Sequence, residues 1–231
     1  MNNTSSQSYP SGDRPYAPRD LSLPEIRAGD AHSFASPKEG GRLVRVLNLA
    51  RIAQALLLEF NPKVSAYTER PRVLQVGTAL YEICFWCRDT SGEEHMLMMV
   101  MGSSNAAQGQ KRRAHRDAEA LIEAARAAHL PLEFVQERDV LAQSDRIALA
   151  FRLLPDVQTA IRLTNRGVVQ DAIVDQLSRH HRLRFSQLTT ALEGFQHADI
   201  QCVLAYLVHA GILTCDATDR MLRSTCFEIA S

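Results

Sequence analysis

The feature that most constrains the fold is a change of hydrophobic period at Phe60-Asn61-Pro62. Before it, Leu43, Val44, Val46, Leu47, Leu49, Ile52, Ala53, Leu56 and Leu57 make a broad apolar stripe at helical spacing. A proline disfavours helical backbone at the residue before it, so the helix expected from about Gly41 stops at Asn61. After it the apolar runs shorten to strand length, at Val64–Thr68, Arg72–Val76, Leu80–Arg88 and His95–Met101. Thr90-Ser91-Gly92 separates the last two as a hairpin turn would. A long polar helix is expected from near Ser103-Ser104, with Leu121, Ile122, Ala125 and Ala128 inward. A strand over Leu132–Val135 and a helix from about Asp139 to Leu153, closed by Pro155, complete the series. Helix, antiparallel strands, helix, strand and helix define a mixed α/β domain over 41–162.

Two flanking segments differ from this centre. Residues 1–40 hold five of the nine prolines and seven serines, with few large apolar groups. Such a stretch buries too little surface to offset its ordering entropy, and is expected to be a disordered or loosely docked arm. Residues 163–231 predict a separate small module. Helices are expected over Val168–His180, Phe185–Leu192 and Asp199–Ala210, with Gly211 as a helix stop. Ile212–Cys215 and Thr225–Ile229 then flank a polar turn as a two-stranded hairpin. Three helices followed by a hairpin is the winged-helix variant of helix-turn-helix.

The string Leu57-Leu58-Glu59-Phe60-Asn61-Pro62-Lys63-Val64, followed by Tyr67, Glu69, Arg70 and Pro71, carries more information than its periodicity. It resembles the TnsA family of heteromeric transposase endonuclease subunits, over about Arg42 to Leu154. In that family a similar "-LEFDP-V" leads into "Y-EQP" and the strands of a restriction-endonuclease-like core, with a winged-helix domain behind. The resemblance implies a metal-dependent nuclease that cuts transposon ends beside a TnsB-like DDE transposase, and an AAA ATPase regulator as a further partner. Such chemistry uses a Glu on the first helix, an Asp on a strand and an acid-x-Lys pair on the next. Magnesium takes hard oxygen ligands. The metal and Lys organise the attacking water and stabilise charge on the phosphoryl group. Acid and Lys two apart on a strand share a face, so both reach one phosphate.

This chain departs from the pattern at each of those places. The strand Asp aligns with Cys84, the acid-x-Lys pair with Met99 and Met101, and the helix Glu with Ala50 or Arg51. No acid or Lys occurs anywhere from Met96 to Met101, so a shift of register restores nothing. Thioether and thiol are poor ligands for magnesium, and methionine fills apolar space well. The expectation is a plugged site without a metal cofactor, hence a pseudonuclease that acts as scaffold or regulator. Glu82 is the best candidate for a migrated acid in the alternative, an active Mg²⁺-dependent endonuclease. Glu93 and Glu94 read as a solvated rim.

The remaining signals concern nucleic acid and thiols. The chain has 26 basic and 26 acidic residues, a formal net charge of zero. By segment this is −1 over 1–40, +2 over 41–162 and −1 over 163–231. The surplus concentrates at Lys111, Arg112, Arg113 and Arg116, either a phosphate-contacting band or a solvated face paired with Asp117, Glu119 and Glu123. Arg182 and Arg184 between two helices, and Arg220 and Arg223 in the wing, are further candidate phosphate contacts. The third helix of the module brings Gln201 but no Lys or Arg, too little for reading base edges. Docking, or weak partner-assisted DNA contact, is therefore expected over sequence-specific reading. A stand-alone winged-helix DNA-binding regulator is the alternative from another class. Cys84-Phe85-Trp86-Cys87 lacks a second pair at zinc spacing, and strand alternation would turn its two thiols to opposite faces. No metal ligands are assigned, and His197 and His209 are expected to be satisfied or solvated. Five cysteines without framework spacing, no basic-then-apolar leader and no membrane-length apolar run predict a reduced, cytoplasmic protein.

Overall fold

A computed structural model describes residues 15–101 and 117–230. The protein is a mixed α/β fold with several sheets and, among the described residues, eight helices. After helix α1 (Leu23–Ala28), β1 (Ala31–Ser36) and β2 (Arg42–Leu47) pair antiparallel. Helix α2 (Leu49–Glu59) leads into β3 (Val64–Glu69), and β4 (Val73–Val76) and β5 (Ala79–Glu82) form a second hairpin. β6 (Phe85–Asp89) and β7 (Glu94–Val100) follow, then α3 (Ala118–Ala127) and β8 (Leu132–Gln136). These strands make the central sheet, in the order β3-β6-β7-β8. The first three run antiparallel, and β8 joins parallel to β7, as a strand reached through a crossover helix can.

Each face of this sheet is covered. Tyr67, Phe85, Cys87, Leu97 and Met99 pack with Ala50, Ala53, Leu57 and Leu58 of α2. On the other face Trp86, Met96 and Met98 meet Leu121 and Ala125 of α3. Full burial of a large apolar side chain contributes about 1.5–3 kcal/mol, so α2 and α3 are pinned by packing. Ile122 and Ala128, expected inward, lie on the exposed side of α3.

The chain continues through α4 (Glu137–Leu141) and α5 (Ser144–Ala160). The last part holds α6 (Arg166–His180), β9 (Arg182–Arg184), α7 (Phe185–Ala191), α8 (His197–His209), β10 (Leu213–Cys215) and β11 (Cys226–Ile229). Its three strands pair antiparallel in the order β10-β11-β9. Val169, Ile173, Leu177, Leu188, Val203, Leu204, Leu207 and Phe227 form its own core.

Four expectations are corrected. The helix expected from Gly41 begins only at Leu49, because Val44 and Val46 are buried while Leu43 and Arg45 are exposed, the period of a strand. Asn48, at φ 64°, makes the turn and caps α2 by accepting the Arg51 N–H. The arm expected over 1–40 is structured from Leu23, and Ser36 and Glu39 are buried. The single strand over Leu80–Arg88 breaks at Ile83-Cys84, where Cys84 N–H donates to Leu97 and its carbonyl accepts from Arg70. The helix expected from Asp139 divides into α4 and α5, and α5 runs through Pro155 to Ala160. Burial of Leu153, Leu154, Val157 and Ala160 outweighs the one hydrogen bond proline cannot donate.

Candidate functional site

Two polar clusters, one buried and one partly buried, are built on the string Leu57–Pro71. The first centres on Glu59, the last residue of α2 and wholly buried. Its carboxylate accepts from the Ser36 hydroxyl, from Tyr67 OH at 2.8 Å and from the Lys38 backbone N–H at 2.9 Å. The fourth partner is His209 of α8, whose Nε2 lies 2.7 Å away. Burial works to raise the Glu59 pKa, but the hydrogen bonds from His209 and Ser36 outweigh it and hold the carboxyl below its ordinary value. Burial, with Glu59 adding to it, pushes the Tyr67 phenol well up, so it stays a donor. Lys38 closes the end of α2, its Nζ donating to the carbonyls of Leu58 at 3.1 Å and Asn61 at 2.7 Å. Burial brings this ammonium down to about 8, against the pull of Glu59 and Glu39.

This cluster joins the two halves of the chain. Phe60 meets the His209 ring edge-on, with centroids 5.0 Å apart. Gly211, at φ +70°, lies so close to Pro62 that an added Cβ would be 2.3 Å from the proline Cβ. Leu153 and Val157 of α5 pack on Ala205 of α8. An open cleft of about 230 Å³ runs along the joint, lined by Lys38, Pro62, Tyr206 and His209 among others.

The second cluster gathers around Glu82, beside Cys84. Arg51 on α2 faces both Glu82 and Cys84; burial works against its charge, and the two facing groups more than offset that, raising its pKa. Its Nη1 lies 2.6 Å from Glu82 Oε1. Arg70 Nε lies 2.7 Å from Glu82 Oε2, and Arg70 Nη2 lies 2.8 Å from Glu25 Oε1 of α1. Arg19 approaches Glu82 at 3.6 Å. Met99 N–H donates to Cys84 Sγ at 3.4 Å, and Met101 packs at the edge of the same core. The structure thus brings Arg51, Glu82, Cys84 and Met99 together.

The donor set does not fit magnesium. Glu82, the migrated-acid candidate, spends both oxygens on guanidinium groups, and neighbouring positive charge opposes a divalent cation there. A different group could hold a metal. Asp89, Glu93 and His95 at the β6–β7 turn each bring one ligand atom within 4.8 Å of the others. One Asp89 oxygen is already taken by the N–H groups of Ser91 and Glu93, and Glu133 holds His95 Nδ1 at 2.5 Å. Glu94, expected on the rim, binds Arg88 and Trp86 Nε1.

The other expected residues are placed as follows. Lys111, Arg112, Arg113 and Arg116 lie outside the described residues. Arg182, Arg184, Arg220 and Arg223 are all exposed, along β9 and the β10–β11 connection, and Arg182 pairs with Asp216 at 2.9 Å. Gln201 donates to Asp156 at 2.8 Å, and Asp199 accepts from Asn165 at 2.9 Å. With His209 on Glu59, three polar groups of α8 (Asp199, Gln201 and His209) face partners within the chain, while His197 at its start is exposed. Cys84 and Cys87 pack into one core cluster, not onto opposite faces, because Cys84 lies in the break before β6. Both are free thiols, and burial, with Glu133 and Asp89 nearby, pushes Cys87 up to about 12. His209 is satisfied as expected. The joining role of Glu59 and His209 was not legible, because 150 residues separate them.

No model of a known protein family matches the chain, and no curated protein matches it. Among the described residues no helix is long and apolar enough to cross a membrane.

Proposed function

We propose that this protein is a TnsA-like pseudonuclease, a non-catalytic subunit of a DNA transposition machinery. It acts as scaffold or regulator beside a TnsB-like DDE transposase and DNA, with an AAA ATPase regulator as a further partner. The observation that carries this reading is spatial. Arg51, Cys84 and Met99, assigned from the sequence string to three separated nuclease positions, lie against one another. A helix, three antiparallel strands, a crossover helix and a parallel strand also make the order that a restriction-endonuclease-like core needs. The order α6-β9-α7-α8-β10-β11 suits a winged helix. Because α8 packs against the core, that module is read as a docking element rather than a major-groove reader.

The test is strand cleavage of transposon-end DNA by the protein together with its transposase partner, in Mg²⁺ or Mn²⁺. The expected result is no cleavage attributable to this subunit. Cleavage that Glu82→Ala abolishes would establish the migrated-site enzyme instead. A complex with the transposase in size-exclusion chromatography is the positive counterpart, and its absence counts against the scaffold role.

A further inference from the structure

Arg70 is an unusual residue in its own right. Its side chain is 2% exposed. Its backbone is left-handed, at φ 51°, a conformation that strains a residue with a long side chain. Its guanidinium is only partly used. Nε is held by Glu82 and Nη2 by one oxygen of Glu25, but Nη1 is buried with no hydrogen-bond partner. Arg51 Nε is in the same condition. A buried donor left unmade carries the full desolvation cost of its N–H. Around Glu82 and Glu25 three guanidinium groups, of Arg19, Arg51 and Arg70, face two carboxylates, so positive charge is in excess.

The geometry of the fork says what would satisfy it. Glu82 fixes Arg70 through Nε and leaves the terminal edge, Nη1 and Nη2, to face a second acceptor. That edge matches two oxygens of a phosphate or phosphodiester bidentately. Glu25 supplies only one oxygen to it; its other oxygen is bound to the Ser22 backbone N–H and hydroxyl. Glu25 also sits on a short helix whose large apolar side chains are exposed. Helix α1 has six residues, with Leu23 68% and Ile26 45% exposed. A helix this short has little stability of its own.

We propose that Arg70, positioned by Glu82 and assisted by Arg51 and Arg19, is a phosphoryl-anion site for the DNA backbone, and that Glu25 of α1 occupies it as a displaceable stand-in. Where the aligned nuclease would place a metal between protein and phosphate, this chain places a guanidinium fork. The choice of DNA as source of the anion rests on the function proposed above; the site itself does not.

The experiment uses the full chain, a fluorescently labelled 20-base-pair duplex at low salt, and inorganic phosphate in a parallel thermal-shift series. Glu25→Gln, at a partly exposed position, is expected to tighten duplex binding at least threefold, and Arg70→Gln to weaken it at least tenfold. Phosphate is expected to raise the Tm of the native chain, more so for Glu25→Gln, and not for Arg70→Gln. If Arg70→Gln fails to fold, Glu25→Gln decides by itself. Duplex affinity and phosphate response both unchanged in Glu25→Gln overturn the site. A duplex bound equally by all variants overturns it while leaving DNA handling intact. A phosphate response that depends on Glu25 and Arg70, with no duplex binding, supports the anion site and overturns DNA as its source.

Discussion

Glu59 shows how much one residue can do when its position is fixed from four sides. It receives hydrogen bonds from β1, from the turn at Lys38, from β3 and from α8. Glu59→Ala leaves all four donors without their acceptor, and a loss of about 3–5 kcal/mol in urea unfolding is expected, as for other broken buried pairs. Its pKa is depressed in the folded state, so its stabilisation is complete above the ordinary glutamate value of about 4.3 and is lost as pH falls through the folded value. Urea midpoints measured from pH 6 down to pH 3 should therefore fall less steeply for Glu59→Gln than for the native chain. Gly211→Ala is expected to cost about 1–3 kcal/mol, from positive φ and from the Pro62 contact together. In a Pro62→Ala background the same substitution should cost less, because only the φ part remains; a double-mutant cycle measures the difference. The string containing Glu59, Phe60 and Pro62 was legible as a signal. That these three side chains join two halves of the molecule was not, since their partners lie about 150 residues downstream.

At the scale of elements, helices were legible where one face is buried and the other wet, and strands where a short apolar run is bounded by turn residues. β3, β7, β8 and the helices after residue 166 fall close to their expected places; β7 is a short apolar run buried on both faces. The misses share a cause. From Leu43 to Leu57 the apolar residues satisfy both periods, and only the pairing of β2 with β1 selects strand for its first part. Around Pro155 the local rule predicts a stop, and packing overrides it. Replacing that proline restores a helical N–H, so Pro155→Ala should raise stability by about 1–3 kcal/mol, read as a shift of the urea midpoint without a change of slope. The break at Ile83-Cys84 had no local signal, because both residues are good strand formers. It arises where the chain leaves the β4–β5 hairpin for the central sheet, and it is what brings Cys84 against Arg51.

For the whole molecule, the consequence of the joint is cooperativity. Leu153, Val157 and Ala205 are buried between α5 and α8, and Glu59 and His209 close the same joint. Calorimetry should show one unfolding transition, and His209→Ala should separate it toward two as the coupling weakens; two transitions in the native chain would show the halves to be independent. Around Glu82 and Glu25, both partly exposed, three guanidinium groups face two carboxylates, whereas α8 carries no Lys or Arg. By itself the sequence determined the α/β class, the approximate places of the helices after residue 166 and the absence of any acid or Lys from Met96 to Met101. Each is a matter of local period or residue identity. Only the tertiary structure decided that Arg51, Cys84 and Met99 meet, that Arg70 keeps an unpartnered N–H beside Glu25, and that α8 is buried against the core. Those depend on which surfaces pack together. Packing selects among arrangements that local propensity leaves equal, because burial of a few large side chains outweighs the small differences between them.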